Sequence, residues 1–255
     1  QYVTSLDLRK FVTNKVIDMG MMFENCQKLV NLDLSSFDTS LVVDMSYMFS
    51  GCNRLEIRGL NKFDTSQVTD MSFMFYYLQT MKSIDLSNFN TEKVCDMTSM
   101  FSAFYNLESL DLSSFKTGEG ESMKTMFSGC NKLKYLKFGD FDTKNVKDME
   151  GMFFSCSSLT TLDLSKFNTK NVENMSKMFT SCSALTYLDI SNFNTEKVEN
   201  MEEMFNSCRE LTSLNLLKFD TIKVTSMTFM FSFCEKLTSI NLSGFNTGLV
   251  TNMIA

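Results

Sequence analysis

The chain has 255 residues, 24 of them basic and 30 acidic, for a formal charge of −6. Its hydrophobic content of 44% is enough for a core. No basic stripe of the kind that binds nucleic acid is present, and no apolar run approaches the roughly 18 residues of a membrane span. There is no His, Pro or Trp. Without His the chain lacks the commonest general base and the commonest metal ligand. Neither an enzyme nor a cofactor is therefore expected. The chain opens at Gln1, without an initiator Met, a signal peptide or a lipidation motif, and reads as a processed or excised segment.

Phe recurs at 11, 37, 63, 89, 115, 141, 167, 193, 219 and 245, always 26 residues apart. Thr follows two places later each time, from Thr13 to Thr247, and Met recurs in phase from Met19 to Met253. The unit is L-x-x-L-[DN]-L-S-x-F-[DN]-T-x-x-V-x-[DN]-M-x-x-M-F-x-x-C-x-x. About nine full copies fill residues 1–255 as a single domain without a linker. The period and the L-x-x-L-x-L core are those of leucine-rich repeats.

Within one unit, "LDL" at 32–34 alternates apolar and polar residues and reads as a strand. "FDT" follows as a turn, with Asp38 and Thr39 placed to bond their own neighbouring backbone. Val42 to Met45 reads as a second short extended piece. "SYMFSGC" at 46–52 reads as one or two helical turns, with Phe49 and Cys52 on one face. One unit cannot bury that face alone. Stacked units lay each side chain on its copy, in ladders of Leu, Phe, Met and Cys. The expected fold is a repeat solenoid of the leucine-rich-repeat type. It has about ten stacked coils, a parallel β-sheet on one side, short second strands and short helical turns, with strands about 4.8 Å apart.

Some units depart from the pattern. Ile57-Arg58-Gly59 stands in place of x-Leu-Asp in the third. Leu78 and Phe104 replace Cys, and Gly120 replaces Val in "FKTGEGESM".

These residues resemble the BspA-like leucine-rich-repeat surface proteins, in particular the branch with "LDLSxFDTSxVTxMSxMFxxC" repeats found in mycoplasmas and other low-GC bacteria. The match spans residues 1–255. The resemblance implies a right-handed solenoid on the cell surface or secreted, adhering to host proteins or other cells. It brings no catalytic residue.

Seven of the eight cysteines (26, 52, 130, 156, 182, 208, 234) share one repeat position. Leu78 and Phe104 in the same slot point to reduced, buried thiols, with disulfides between neighbouring coils as the alternative. A metal is disfavoured by the lack of His and of any C-x-x-C pair. Cys95 lies off the ladder and is expected to be more exposed and somewhat more reactive.

Asp7, Asp33, Asp85, Asp111, Asp163 and Asp189 form a column that Asn215 and Asn241 continue and Gly59 and Lys137 interrupt. A second column runs Asp18, Asp44, Asp70, Asp96, Asp148, Asn174, Asn200. Paired carboxylates suit calcium or acid–base work. The sharing of these columns by Asp and Asn favours ladders that bond turn backbone instead. Asn174 and Asn241 also head N-x-[ST] sequons, read as coincidences of the repeat.

Two groups mark candidate partner-binding surfaces. Tyr47 and Phe73 stand where later units carry Lys177 and Glu203, and Tyr76, Tyr77 and Tyr105 lie close by. The second group, on the sheet face, is Tyr135, Lys137, Asp163, Tyr187 and Asp189. The bland reading of the rings is a covered edge of core. The mixed Lys, Glu, Ser and Asn at other variable positions read as a solvated face.

The function expected is a non-catalytic surface or extracellular interaction module. Its partner is a protein or cell surface, with no nucleic acid and no membrane insertion. The alternative is a structural protein that self-associates through its solenoid ends, neither of which carries a cap sequence, or through its lateral edges.

Overall fold

The computed structural model describes residues 3–254. Successive repeats lie side by side along one axis. Parallel bridges join Asp18, Asp44, Asp70, Asp96, Ser122, Asp148, Asn174, Asn200, Ser226 and Asn252 in unbroken order. The second extended piece of each unit is thus one bridge wide. Flanking bonds brace it, such as Val43 N–H to Ile17 O at 2.8 Å.

The expected helical turns are absent from the described residues. Their place is taken by a ribbon of β-turns. In residues 19–26, the N–H groups of Met19, Met21, Phe23 and Asn25 cross to Asp44, Ser46, Met48 and Ser50 of the next coil, at 2.7–3.0 Å. The alternate N–H groups, of Met22, Glu24 and Cys26, close turns onto Met19, Met21 and Phe23. Both sets are satisfied without an i→i−4 bond, which removes the reason to wind a helix. The geometry requires a left-handed residue twice per coil: Met21 and Asn25, Tyr47 and Gly51, Phe73 and Tyr77, and so on to Phe229 and Phe233.

The sheet side is also less regular than expected. Among the described residues, strand pairing on this side is confined to β1 (Asn31–Asp33) with β2 (Glu56–Arg58) and β3 (Ser109–Leu112) with β4 (Tyr135–Phe138), with a single bridge from Ser5 to Asn31 besides. Both pairs are parallel. Elsewhere the same inside–outside alternation persists without full pairing. Between later coils the links lengthen, with Thr186 N–H to Thr160 O and Thr212 N–H to Thr186 O both at 3.4 Å.

The interior is a set of ladders. Val42, Met45, Met48 and Phe49 are fully buried, as are their copies in the central coils. The second Phe of each unit forms a continuous stack from Phe23 to Phe231, with ring centroids 5.5–5.8 Å apart and planes within 11°. No disulfide joins the Cys ladder: all eight cysteines are free. From Cys52 onward each ladder thiol donates to a Phe carbonyl of the preceding coil, as Cys130 Sγ does to Phe101 O at 3.1 Å. Leu78 and Phe104 fill the same slot and are equally buried.

The Thr ladder departs from its expected local turn bonding. Thr39 Oγ1 donates to Asp64 O at 2.9 Å and accepts from Asp64 N–H at 2.8 Å, both in the next coil. Thr65, Thr143, Thr169 and Thr195 do the same. The buried hydroxyl therefore fastens coil to coil.

Candidate functional site

The acid columns are structural. Asp33, Asp85, Asp111, Asp163 and Asp189 each accept, through Oδ1, the N–H two residues on, at 2.8–3.0 Å. Asp44, Asp70, Asp96, Asn174 and Asn200 do so at a second corner. Asp38, Asp64, Asn90, Asp142 and Asn194 do so at a third. Asp and Asn interchange because the carbonyl-type oxygen is all that the corner needs.

Both interruptions of the first column are cations. A one-residue slip pairs Leu32 with Ile57 and Asp33 with Arg58. Arg58, not Gly59, thus stands over Asp33. Lys137 pairs with Asp111 at 3.0 Å. The Ser113 hydroxyl and N–H, then Lys137, hold the Asp111 carboxyl down at about 2.

The first aromatic group is one contiguous cluster. Tyr47 stacks on Phe73 at 4.5 Å, and Tyr76 meets the edge of Phe73 at 5.5 Å. Tyr77 lies 5.9 Å from Tyr76 and 5.7 Å from Tyr105. Tyr105 is exposed and the other four are half-buried. Tyr47, Phe73 and Tyr77 occupy left-handed turn positions. That backbone turns their rings outward from the ribbon, rather than into the Phe stack beneath. Burial, followed by Glu24, Asp70 and Asp96, raises the Tyr47 phenol and keeps it neutral.

The sheet-face group is dispersed. Tyr135 is 73% exposed and Tyr187 60%. Tyr135, Lys137 and Asp163 line a shallow depression of about 460 Å³ with Asp111, Lys134 and Thr161, whereas Tyr187 and Asp189 lie outside it. Lys137 turns back to Asp111 rather than on to Asp163. The role of Arg58 was hidden from sequence reading by the register slip, and the repeat phase alone could not have shown it.

Cys95 is exposed, as its off-ladder place implies. Its expected reactivity is corrected: partial burial, then Glu121, Glu119, Asp70 and Asp96, push the thiol up and disfavour the thiolate. No group of three or more His, Cys, Asp or Glu among the described residues is placed to hold a metal ion. No helix among them is long and apolar enough to cross a membrane.

Stacked coils with ladder cores, Asx corners and long solvent-facing columns define a repeat solenoid, built on the period and L-x-x-L-x-L core of leucine-rich repeats. The chain belongs to the family described as "Mycoplasma protein of unknown function, DUF285", whose model matches residues 2–103, 54–161, 102–208 and 184–255. No curated protein matches. Among solved structures, the chain is similar to a leucine-rich-repeat protein of T. pallidum. Identity is 18%, TM-score 0.33, with 56% of this chain and 70% of that one covered. It is also similar to one from Eubacterium ventriosum, at 15% identity and TM-score 0.37, covering 91% and 79%. A third, from Leptospira interrogans, is at 13% identity and TM-score 0.36, covering 94% and 71%.

Proposed function

We propose that this chain is a non-catalytic interaction module of the BspA-like kind, displayed on the cell surface or secreted. In this reading it is one solenoid of about ten coils with a parallel-strand face, and it holds a protein partner through its long rigid side. The aromatic cluster of Tyr47, Phe73, Tyr76, Tyr77 and Tyr105 carries the reading. Rings from successive coils meet there and stay partly open to solvent. Clustered Tyr is the side-chain chemistry of interface hot spots, because it gives large contact area at low conformational cost.

The cluster is separable from the fold. Ser50, Ser102 and Ser128 occupy the Tyr76 slot in other coils, and Ser155, Ser181 and Ser207 occupy the Tyr77 slot. The Tyr76→Ser/Tyr77→Ser double variant is therefore expected to keep its melting temperature. It should lose roughly tenfold or more of its saturable, protease-sensitive binding to cultured epithelial cells. Unfolding of the variant would make the rings core. Unchanged cell binding by a folded variant would remove the cluster from the interaction.

A further inference from the structure

The sheet-face tyrosines differ in kind from that cluster. Tyr135 and Tyr187 share one outward column, two coils apart. From Ser83 onward the rest of that column is small and polar: Ser83, Ser109, Thr161, Ser213 and Ser239. In all three relevant coils the local pattern alternates outward and inward. Tyr135 and Lys137, Thr161 and Asp163, and Tyr187 and Asp189 face solvent, while the Leu between each pair turns inward. The coils at 160 and 186 are joined beside the column by Thr186 N–H to Thr160 O. Tyr135 and Thr161 line the same depression. Each ring thus stands alone, with only Thr161 between them.

We propose that Tyr135 and Tyr187 form a stacking platform for an extended oligosaccharide, with Lys137, Asp163 and Asp189 bonding its hydroxyls. Adjacent coils at parallel-strand spacing put the two rings about 10 Å apart. At that repeat an extended β-1,4-linked chain, whose successive pyranoses are turned over relative to one another, presents the same ring face again. A pyranose face of C–H groups lies flat on an aromatic ring, and the small Thr161 leaves room for the intervening sugar. The flanking groups are already oriented. Asp163 and Asp189 are pinned through Oδ1 by the N–H groups of Ser165 and Ser191, at 2.9 and 3.0 Å. Lys137 is pinned by Asp111 at 3.0 Å. Carboxylates and an ammonium bond hydroxyls strongly. Isolated rings among charged groups are a poor match to a protein interface, whose centre is clustered and depleted of charge.

The platform is independent of the Tyr76–Tyr77 cluster, and its test separates the two. Chitohexaose and cellohexaose are titrated into the whole chain by calorimetry, with chitobiose as the short control. At least one hexaose is expected to bind about tenfold or more tighter than the disaccharide, which spans only one ring. Tyr135→Ser and Tyr187→Ser, residues that the same column carries in other coils, should each weaken hexaose binding about tenfold or more and leave melting unchanged. Tyr76→Ser/Tyr77→Ser should leave it intact. No hexaose binding at millimolar concentration, or equal binding by the Tyr135 and Tyr187 variants, would overturn the proposal. So would a protein ligand that needs both rings while no oligosaccharide binds.

Discussion

At the residue scale, the molecule rests on backbone conformations that side chains ordinarily avoid. Among the described residues, fifteen non-glycine residues sit at positive φ, including Tyr47, Phe73 and Phe229. A left-handed residue costs on the order of 1–3 kcal/mol. Here the cost is offset because these turn residues, Phe233 of the last pair aside, send their N–H to the next coil, as Tyr47 does to Ser72 O at 2.9 Å. Many side chains are tolerated in that slot because the inter-coil bonds use only backbone. Gly59 is a different case. At φ +91 it absorbs the one-residue slip of β2, and Leu60 returns to phase in the 3-10 turn Leu60–Lys62. A Cβ there would lie 2.5 Å from Ser35 N and 2.7 Å from Leu34 C, both backbone. Gly59→Ala is expected to cost on the order of 3 kcal/mol in urea unfolding. A loss within experimental error would mean that the slip is not held by this glycine.

At the element scale, the units are strips of ladder rather than strands and helices. Phe141 shows what a rung is worth. It is fully buried, 4.6 Å from the Phe138 ring and stacked on Phe167 at 5.6 Å. Deleting a buried ring removes its transfer free energy and leaves a cavity whose neighbours are locked in register above and below. Phe141→Ala should lower stability by about 3–5 kcal/mol in chemical denaturation. A loss below about 1 kcal/mol would argue against the ladder. The exposed inter-coil ion pairs, such as Lys116–Glu92 at 2.5 Å and Lys147–Glu121 at 3.0 Å, put opposite charges on adjacent coils. Such pairs contribute little individually.

At the scale of the whole molecule, stability should be level across neutral pH and fall on both sides. With no His in the chain, no imidazole titrates near neutrality. The Asp residues of the first column have depressed folded pKa values. Asp7 is held at about 2 first by the Arg9 side chain, and Asp111 at about 2 first by the Ser113 hydroxyl. Asp33, Asp85, Asp163 and Asp189 are lowered first by hydrogen bonds from the serine two residues on. A depressed carboxyl stabilises the fold above its unfolded pKa near 3.9, and that contribution is lost as pH falls towards about 2. The buried thiols run the other way. Burial raises Cys52, Cys130 and Cys182 from an ordinary value of 9.0 to about 12. Their contribution is complete below about 9 and lost as pH rises towards 12. Thermal melts from pH 2 to 12 should trace a plateau with two shoulders. Replacing Cys130, Cys156 and Cys182 by Ala should shrink the alkaline shoulder and leave the acid one, and an unchanged alkaline limb would assign that loss to other groups.

The sequence by itself determined the period, the membership of each ladder, the apolar nature of the Cys slot and the hydrogen-bonding role of the Asp/Asn columns. All of these follow from a strict 26-residue repeat, because a side chain that recurs in phase must lie on its own copy. Tertiary structure alone decided how the chain runs between rungs. "SYMFSGC" has helical spacing, yet its alternate N–H groups find acceptors in the neighbouring coil, and those partners are invisible to a local pattern. The Thr hydroxyls likewise bond across coils, and the register slip moves Arg58 into the acid column. The same holds for the candidate surfaces. Sequence picked out the aromatic positions, but only packing joined Tyr47, Phe73, Tyr76, Tyr77 and Tyr105 into one cluster. It left Tyr135 and Tyr187 standing apart, because contact between side chains on different coils depends on where the backbone points them.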